Sequence, residues 1–179
     1  TTIATNALIQ HKLAKVGMIT TAGFRDILEM REVLKVSRYD YSDPPPHPLV
    51  PRRLRLSVRE RMDKDGDELK PLHQGDITDA IETFTKQGVE AIAVCFLWSI
   101  VNPDHEQQAK QMLAAAMPEI PVYLSSTVSP QFREYPRFST TALCAALSTR
   151  LMSYVDNLES NLRSIGFRKA IRYIQCNGG

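Results

Sequence analysis

The stretch Val89-Glu90-Ala91-Ile92-Ala93-Val94-Cys95-Phe96-Leu97 decides the fold class of this chain. All of its residues except Glu90 are apolar, and no alternation of apolar and polar side chains marks one face as exposed. A continuous apolar run of this length is typical of a strand in a sheet that helices cover on both faces. The stretch therefore predicts a central strand of an α/β fold.

The segments on either side of this strand alternate between helical and strand-like patterns. Before it, Asp76 is a suitable N-cap for a helix that reaches Gln87, where Gly88 is a suitable stop. After it, Asn102-Pro103-Asp104-His105-Glu106 predicts a helix start, with acidic side chains at the positive end of the helix dipole. Further strands are predicted at 16–20, 54–62, 68–70, 121–125 and 170–176, and further helices at 2–14, 23–36 and 139–165. The fold class is therefore α/β, with a mixed sheet and flanking helices.

Two connections between these elements have a clear local signature. Asp43-Pro44-Pro45-Pro46-His47-Pro48 cannot form a helix or a central strand, so it predicts a stiff, extended, proline-rich crossing over residues 43–52. Asp63-Lys64-Asp65-Gly66-Asp67 predicts a hairpin turn. Its aspartates do not form a calcium loop, because the later ligands of such a loop are missing from the sequence.

The two ends of the chain suggest that it is part of something larger. It begins with Thr1-Thr2 and no methionine, and it ends with Asn177-Gly178-Gly179 directly after an apolar run. A domain rarely ends on a strand followed by a glycine pair that starts a turn. Residues 1–179 are therefore expected to be an internal segment of a longer protein.

The composition argues against several classes of protein. The chain has 179 residues, of which 43% are hydrophobic and 23% charged, which is ordinary for a globular protein. No apolar run reaches the roughly 18 residues that span a bilayer, and no signal peptide is present. Cys95, Cys144 and Cys176 lie in apolar runs without the spacing of a metal site. We therefore expect a soluble, cytoplasmic protein with buried, reduced thiols and no metal site in this chain.

A cluster of arginines is the one basic feature of a chain whose formal net charge is only +2. On an extended strand Arg53, Arg55, Arg59 and Arg61 share one face, and the other face is apolar. Because no aromatic side chains alternate with the arginines, the pattern favours a solvated strand face over a surface that binds nucleic acid.

No complete catalytic motif is present: the sequence lacks GxxxxGK[ST], GxGxxG, GxSxG and HExxH. Polar residues nevertheless gather at three junctions. Thr1, Thr2 and Asn6 surround a predicted helix N-terminus, which suits an anion or simple capping. Thr20, Thr21, Arg25 and Asp26 follow a predicted strand, and Arg133 and Glu134 precede the long helix. Ligands of α/β sheets collect at the carboxyl ends of strands, so the last two junctions are expected to face one cleft.

Roles for these charged residues follow from the same reasoning. Arg25 and Arg133 are expected to orient or neutralise a ligand, with Asp26 and Glu134 as their ion-pair partners, and a purely structural role is the alternative. For His105 and Glu106, capping of the predicted helix is favoured over metal or general-base chemistry.

Six segments in this order resemble the hydantoinase A/5-oxoprolinase family, which also includes subunits of acetone and acetophenone carboxylases. The residues that carry the resemblance are Thr1-Thr2-Ile3-Ala4-Thr5-Asn6-Ala7-Leu8, Thr20-Thr21-Ala22-Gly23-Phe24-Arg25-Asp26, Pro48-Leu49-Val50-Pro51-Arg52-Arg53, Val94-Cys95-Phe96-Leu97 with Asn102-Pro103-Asp104-His105-Glu106, Arg133-Glu134-Tyr135, and Asn177-Gly178-Gly179. Cys144, Ala146 and Cys176 depart from the family pattern, in which Asn, an aromatic residue and Ser are common at those positions. These exchanges weaken any transfer of substrate specificity.

The resemblance implies a portion of an actin-like, ribonuclease H-like ATPase that uses ATP and Mg²⁺. The glycine-rich phosphate motifs would lie outside residues 1–179, so the chain alone is expected not to turn over ATP. The parent enzyme would phosphorylate the carbonyl oxygen of a cyclic amide such as hydantoin or 5-oxoproline, after which water attacks. Asn177, Gly178 and Gly179 would contact substrate or nucleotide, and a hydantoinase B-type subunit or domain would be the partner.

Two other functions remain open from the sequence. The parent could be the ATP-using subunit of a ketone carboxylase, in which a carboxylating partner replaces water. Alternatively, the segment could be a non-catalytic docking domain that binds a partner through the proline-rich crossing and the arginine-rich strand.

Overall fold

The computed structural model of this chain describes residues 2–32, 42 and 48–173. Six strands are described: β1 (Val16–Thr21), β2 (Arg55–Val58), β3 (Arg61–Met62), β4 (Glu68–Lys70), β5 (Ala91–Cys95) and β6 (Val122–Leu124). The α-helices are α1 (Ile3–Ile9), α2 (Ile27–Met30), α3 (Gln74–Gln87), α4 (Asp104–Ala116), α5 (Ser125–Val128) and α6 (Glu134–Ser164). A 3₁₀ turn covers Arg52–Leu54.

The main sheet has four strands in the order β2-β1-β5-β6, and all neighbouring strands are parallel. The next strand of this sheet along the chain, β2, lies on one side of β1, and the later strand β5 lies on the other side. The space between the carboxyl ends of β1 and β5 is therefore a topological switch point, where open α/β sheets place their ligands. The register pairs Thr20 of β1 with Cys95 of β5 at this point.

Helices cover both faces of the sheet. On one face α3 lies so close to β1 that a Cβ atom added to Gly17 would be 2.6 Å from Cε1 of Phe84. On the other face α6 packs on β5 and buries a row of small and aromatic side chains. All five residues of β5 are buried, because the strand is covered from both sides.

Several predicted elements are confirmed. The central strand is present as Ala91–Cys95, and β1 extends the strand predicted at 16–20 by one residue. The predicted hairpin is also present: β3 and β4 pair antiparallel across the turn at 63–67. This hairpin forms a separate two-stranded sheet, so the main sheet is purely parallel and not mixed as predicted.

Other boundaries were wrong. The helix expected at 23–36 begins at Ile27 and ends at Met30, where Arg31 takes a positive φ of 49°; residues 33–36 lie outside the described ranges. The helix expected at 2–14 ends at Ile9, and the one expected at 139–165 begins earlier, at Glu134. The final strand expected at 170–176 is not a strand in its described part, 170–173.

The strand expected at 54–62 is interrupted. β2 ends at Val58, and two residues without regular structure precede the hairpin at 61–62. Of the proline-rich crossing, residues 43–47 lie outside the described part of the chain, and Pro51 leads into the 3₁₀ turn.

The N-cap of α3 was also misplaced. His73 is the N-cap, and its ring nitrogen accepts the backbone N–H of Asp76 at 3.2 Å. The carboxylate of Asp76 instead binds the guanidinium of Arg59, with Nη2 and Oδ1 2.6 Å apart. The hydrogen bonds from Arg59 hold the pKa of Asp76 well below its usual range. Gly88 does stop the helix as predicted, in a left-handed conformation.

The arginine-rich strand is not simply a solvated face. Arg53 and Arg59 are exposed, but the Arg55 side chain is completely buried. Its guanidinium lies 2.5 Å from a carboxylate oxygen of Glu29, which is half-exposed. Arg55 therefore pairs with α2 instead of facing solvent, a long-range contact that strand alternation alone does not reveal.

The two described cysteines, Cys95 and Cys144, are free thiols, and burial raises the pKa of each. Cys95 is fully buried and Cys144 partly so, as expected; Cys176 lies outside the described residues. No helix in residues 2–32, 42 and 48–173 combines the length and apolar character of a membrane-spanning segment.

Candidate functional site

Buried polar side chains gather where the four parallel strands end. This carboxyl edge consists of the last residues of β1, β2, β5 and β6 and the loops that follow them. The buried polar residues in this edge or packed against it, each less than 4% exposed, are Thr20, Thr21, Glu60, Ser99, His105, Glu106, Ser125 and Arg137. Burial of this many polar groups is costly unless they are paired, so their partners indicate what the edge is built to do.

Glu106 connects the loops that follow β5 and β6. One carboxylate oxygen accepts the backbone N–H of Phe96 at 3.0 Å and the hydroxyl of Ser125 at 2.7 Å. The other accepts the backbone N–H of Ser126 at 2.9 Å and its hydroxyl at 2.6 Å. With four donors on one carboxylate, this side chain fixes the loop after β5 relative to the start of α5.

His105 connects β1, the loop after β2 and the hairpin. Its Nδ1 lies 2.8 Å from Glu60, and its Nε2 lies 2.9 Å from Glu68 on β4. Glu60 in turn accepts the hydroxyl of Thr21, and that hydroxyl accepts the backbone N–H of Leu97 at 3.0 Å. The result is a continuous hydrogen-bonded chain from the exposed hairpin to the buried end of β1.

Asn102 completes this arrangement. Its amide donates to the carbonyl of Gly66 in the hairpin turn at 2.9 Å, and its side-chain oxygen accepts the N–H of Asp104 at 3.0 Å. Asn102, His105 and Glu106 thus connect the carboxyl-edge loops and the hairpin, and we call these three residues the hub. The hub holds the carboxyl edge in one arrangement, as a preorganised site requires.

Sequence reasoning missed the hub. Capping was expected for His105 and Glu106, yet both side chains are buried and bind other loops. A signal was present: Glu106, Ala109 and Leu113 are spaced i, i+3, i+7, so Glu106 lies on the buried face of α4.

The opposite face of the carboxyl edge is occupied by Arg137 of α6. Its Nη2 donates to the carbonyl of Phe96 at 2.9 Å, and its Nη1 donates to the carbonyl of Gln131 at 3.3 Å. Burial lowers the pKa of this guanidinium. Two buried polar atoms in this region, Nε of Arg137 and Oγ1 of Thr20, have no hydrogen-bond partner among the described residues.

The structure places Thr20 and Thr21 at the carboxyl edge. As neighbours on a strand they point to opposite faces, Thr21 toward the hub and Thr20 toward α6.

The main contacts of Arg25 and Asp26 are with Arg52 and not with each other. Asp26 binds Arg52, with Oδ1 and Nε 2.9 Å apart, and Arg25 donates to the backbone carbonyl of Arg52.

Arg133 and Glu134 lie at the start of α6. Arg133 has a positive φ of 76°, is largely exposed and lies 3.4 Å from Glu32, so Glu32 is its ion-pair partner in place of the expected Glu134. This contact joins the segment after α2 to the loop before α6. Because Glu32 lies outside residues 20–26, the shared cleft of the two junctions stays a prediction.

The site predicted at the N-terminus has less structural support than the carboxyl edge. Thr2 and Asn6 are exposed, α1 has only seven residues, and Thr2 makes no side-chain cap hydrogen bond. Thr1, Asn177, Gly178 and Gly179 lie outside the described residues. Within the described ranges no group of three His, Cys, Asp or Glu side chains is arranged to hold a metal ion.

A separate cleft of about 880 Å³ lies beside α1 and α6, next to the amino end of β1. Its lining is mainly apolar and includes Leu8, Leu13, Val16, Leu49, Ala142 and Leu143. Because it lies at the opposite end of β1 and lacks the predicted polar residues, the carboxyl edge remains the better candidate site.

Comparison with known proteins agrees with the resemblance seen in the sequence. Residues 1–117 match the family described as hydantoinase/oxoprolinase N-terminal region. The whole chain is 43% identical to caprolactamase subunit alpha of Pseudomonas jessenii and covers 26% of that protein. The chain thus spans about a quarter of the length of this relative.

Two solved structures share the fold. The crystal structure of the ATP-dependent caprolactamase from Pseudomonas jessenii superposes with a TM-score of 0.93 over the whole chain, which covers 26% of that structure's chain. The nucleotide-free structure of acetone carboxylase superposes with a TM-score of 0.78 at 26% identity, over 92% of this chain and 25% of the other.

Proposed function

The chain belongs to the hydantoinase/oxoprolinase family, and from this premise we propose that the full-length protein is an ATP-dependent hydrolase that opens a cyclic amide. The observation that carries the proposal is the likeness to the ATP-dependent caprolactamase, at 43% identity and a TM-score of 0.93. The likeness to acetone carboxylase is weaker, with 26% sequence identity and a TM-score of 0.78. The substrate class we propose is a lactam, hydantoin or 5-oxoproline ring.

The reaction we propose proceeds in three steps. The carbonyl oxygen of the ring amide attacks the γ-phosphorus of ATP, which releases ADP and leaves the oxygen phosphorylated. One water adds to the phosphorylated carbon and loses a proton, and the ring carbon–nitrogen bond breaks as the nitrogen takes up a proton, which leaves an acyl phosphate. A second water then adds to the acyl carbon and loses a proton, and the carbon–oxygen bond to phosphate breaks. The products are ADP, inorganic phosphate and the ring-opened amino acid. Phosphorylation turns a poor leaving oxygen into a good one, so positioning and charge neutralisation are the main tasks of the protein.

In this proposal the described chain supplies a preorganised wall of the site. The hub fixes the carboxyl edge, where the earlier candidates Thr20 and Thr21 lie, and Arg25 lies in the segment that follows β1. No described group of carboxylates fits Mg²⁺, so we place Mg²⁺ and the phosphate-binding glycine motifs on other parts of an actin-like ATPase. We also propose a hydantoinase B-type partner, because the relative is named as an alpha subunit. The location we propose for the enzyme is the cytoplasm.

Two alternative functions differ in their support. An ATP-using subunit of a ketone carboxylase is supported by the shared fold with acetone carboxylase. A docking domain that binds through the arginine-rich strand is less favoured, because Arg52 and Arg55 of that region already bind Asp26 and Glu29.

The first two functions differ in their need for bicarbonate. With full-length protein and its partner subunit, ADP release is expected to rise on addition of a lactam and to be unchanged by bicarbonate. In a carboxylase, ADP release would instead require a ketone and bicarbonate together. Coupled-enzyme measurement of ADP with each substrate, with and without bicarbonate, decides between them; stimulation by neither substrate would contradict both and favour docking.

A further inference from the structure

Arg137 is a fully buried cation without a close carboxylate. Its side chain donates only to the carbonyl oxygens of Phe96 and Gln131 among the described residues, and Nε has no partner. Among the described residues no carboxylate forms an ion pair with this guanidinium, whose Cζ lies 5.2 Å from the ring centroid of Phe138. A buried guanidinium is normally paired with an anion, because an uncompensated charge is costly away from water.

Thr20 presents a second unpartnered group on the same face of the sheet. Thr20 is aligned with Cys95 across the parallel pair β1/β5, so the two side chains point to the same face. That face is the one covered by α6, because Gly17, three residues before Thr20 on β1, faces Phe84 of α3 on the opposite side of the sheet. Arg137 binds the carbonyl of Phe96, the residue next to Cys95. The hydroxyl of Thr20 and the guanidinium of Arg137 therefore lie in one neighbourhood at the β1/β5 switch point.

We propose that Thr20 and Arg137 form an anion subsite at the switch point, which binds a negatively charged oxygen of the substrate, either phosphoryl or carboxylate. The inference rests on the proposed function and deepens it, because the reaction produces both kinds of oxyanion. A hydroxyl donor beside an unpaired guanidinium is the chemistry that recognises such an oxygen. The role expected from the sequence for Arg133 thus moves one helical turn along α6, to Arg137.

The structure also indicates where the anion would enter. The contact between Nη1 of Arg137 and the carbonyl of Gln131 is 3.3 Å, longer than the usual range for such a bond. Gln131 is exposed and lies in the short loop between α5 and α6. An anion arriving from solvent would displace this carbonyl from Nη1 and then reach Thr20, whereas the shorter bond to Phe96 would hold the guanidinium in place.

The sharpest test is Thr20→Val in the full-length protein. The change removes the hydroxyl and keeps the shape of the side chain. If this buried, unpartnered hydroxyl has no function, its removal would raise the melting temperature and leave anion binding unchanged. The subsite predicts a raised melting temperature together with at least about tenfold weaker anion binding. Binding is measured by calorimetry with inorganic phosphate and with acetate, each against chloride at equal ionic strength. The ATP site also binds phosphate, so the measured quantity is the difference between wild type and variant.

Two further variants complete the test. Arg137→Lys keeps a positive charge but loses the planar fork, and is expected to weaken the same anion; if it does not fold, Thr20→Val decides alone. Ser148→Ala removes a different buried hydroxyl, which lies on α6 and already donates to the carbonyl of Ala145, and should leave anion binding unchanged. Loss of phosphate binding assigns the phosphoryl group, and loss of acetate binding assigns a carboxylate.

Unchanged binding of both anions in Thr20→Val would overturn the subsite. The proposed function is judged separately, by lactam-dependent ADP release from the wild-type sample. If that release is absent while the anion difference is present, the reaction is wrong and the subsite stands. If release is present and the anion difference is absent, the subsite is wrong and the reaction stands.

Discussion

Replacing Glu106 by alanine is expected to lower the free energy of unfolding of the chain by about 3–5 kcal/mol. The carboxylate accepts four hydrogen bonds from Phe96, Ser125 and Ser126, and these donors would lose their acceptor in a buried setting. Each unpaired buried polar group costs about 1–3 kcal/mol, and water that enters the space left behind would recover part of the total. Urea denaturation followed by circular dichroism measures the change.

Gln107→Ala is the matched control, because Gln107 is exposed and next to Glu106 on α4. Its effect is expected to stay within about 0.5 kcal/mol. If Glu106→Ala is as mild as this control, the carboxylate is not the link between the loops after β5 and β6, and the hub as described here does not exist.

Replacing His105 by alanine is expected to cost a similar amount, about 3–5 kcal/mol, because it leaves the buried carboxylate of Glu60 without its imidazole partner. The penalty should come mainly from that stranded carboxylate. Adding Glu60→Gln to His105→Ala removes the charge and is expected to restore at least about 1 kcal/mol, measured as a double-mutant cycle in urea.

The cycle has a clear contrary outcome. If the double variant is no more stable than His105→Ala, the loss comes from the cavity left by the imidazole and not from Glu60. Glu68 offers a control, since its side chain is half-exposed: Glu68→Gln should cost much less than His105→Ala.

The parts of the fold that sequence could predict are those set by local pattern. Ala91–Cys95 is a strand because an unbroken apolar run must be covered on both faces, and Gly88 ends α3 because it adopts the left-handed conformation without strain. The hairpin at 61–70 follows from its turn residues in the same way. Each of these signals lies within a few residues of the element it specifies.

The parts that sequence could not predict depend on which distant residues meet. Arg55 was expected in solvent and is buried against Glu29, and Arg133 was expected beside Glu134 and binds Glu32. In each case the partner lies far along the chain or on another element. The location of Thr20 and Thr21 at the carboxyl edge of the sheet was accessible from the strand pattern, but their separation onto two faces follows from the sheet itself.

The proposed chemistry makes the lactam carbonyl oxygen the atom that is phosphorylated, and an isotope measurement tests this directly. The full-length protein with its partner subunit is supplied with ATP and caprolactam labelled with ¹⁸O in the carbonyl group. Mass spectrometry then locates the label among the products. Transfer of the lactam oxygen to phosphorus predicts ¹⁸O in inorganic phosphate, in step with ring-opened product. Retention of all ¹⁸O in the carboxylate of the ring-opened amino acid would contradict the proposed sequence of phosphorylation followed by carbon–oxygen cleavage.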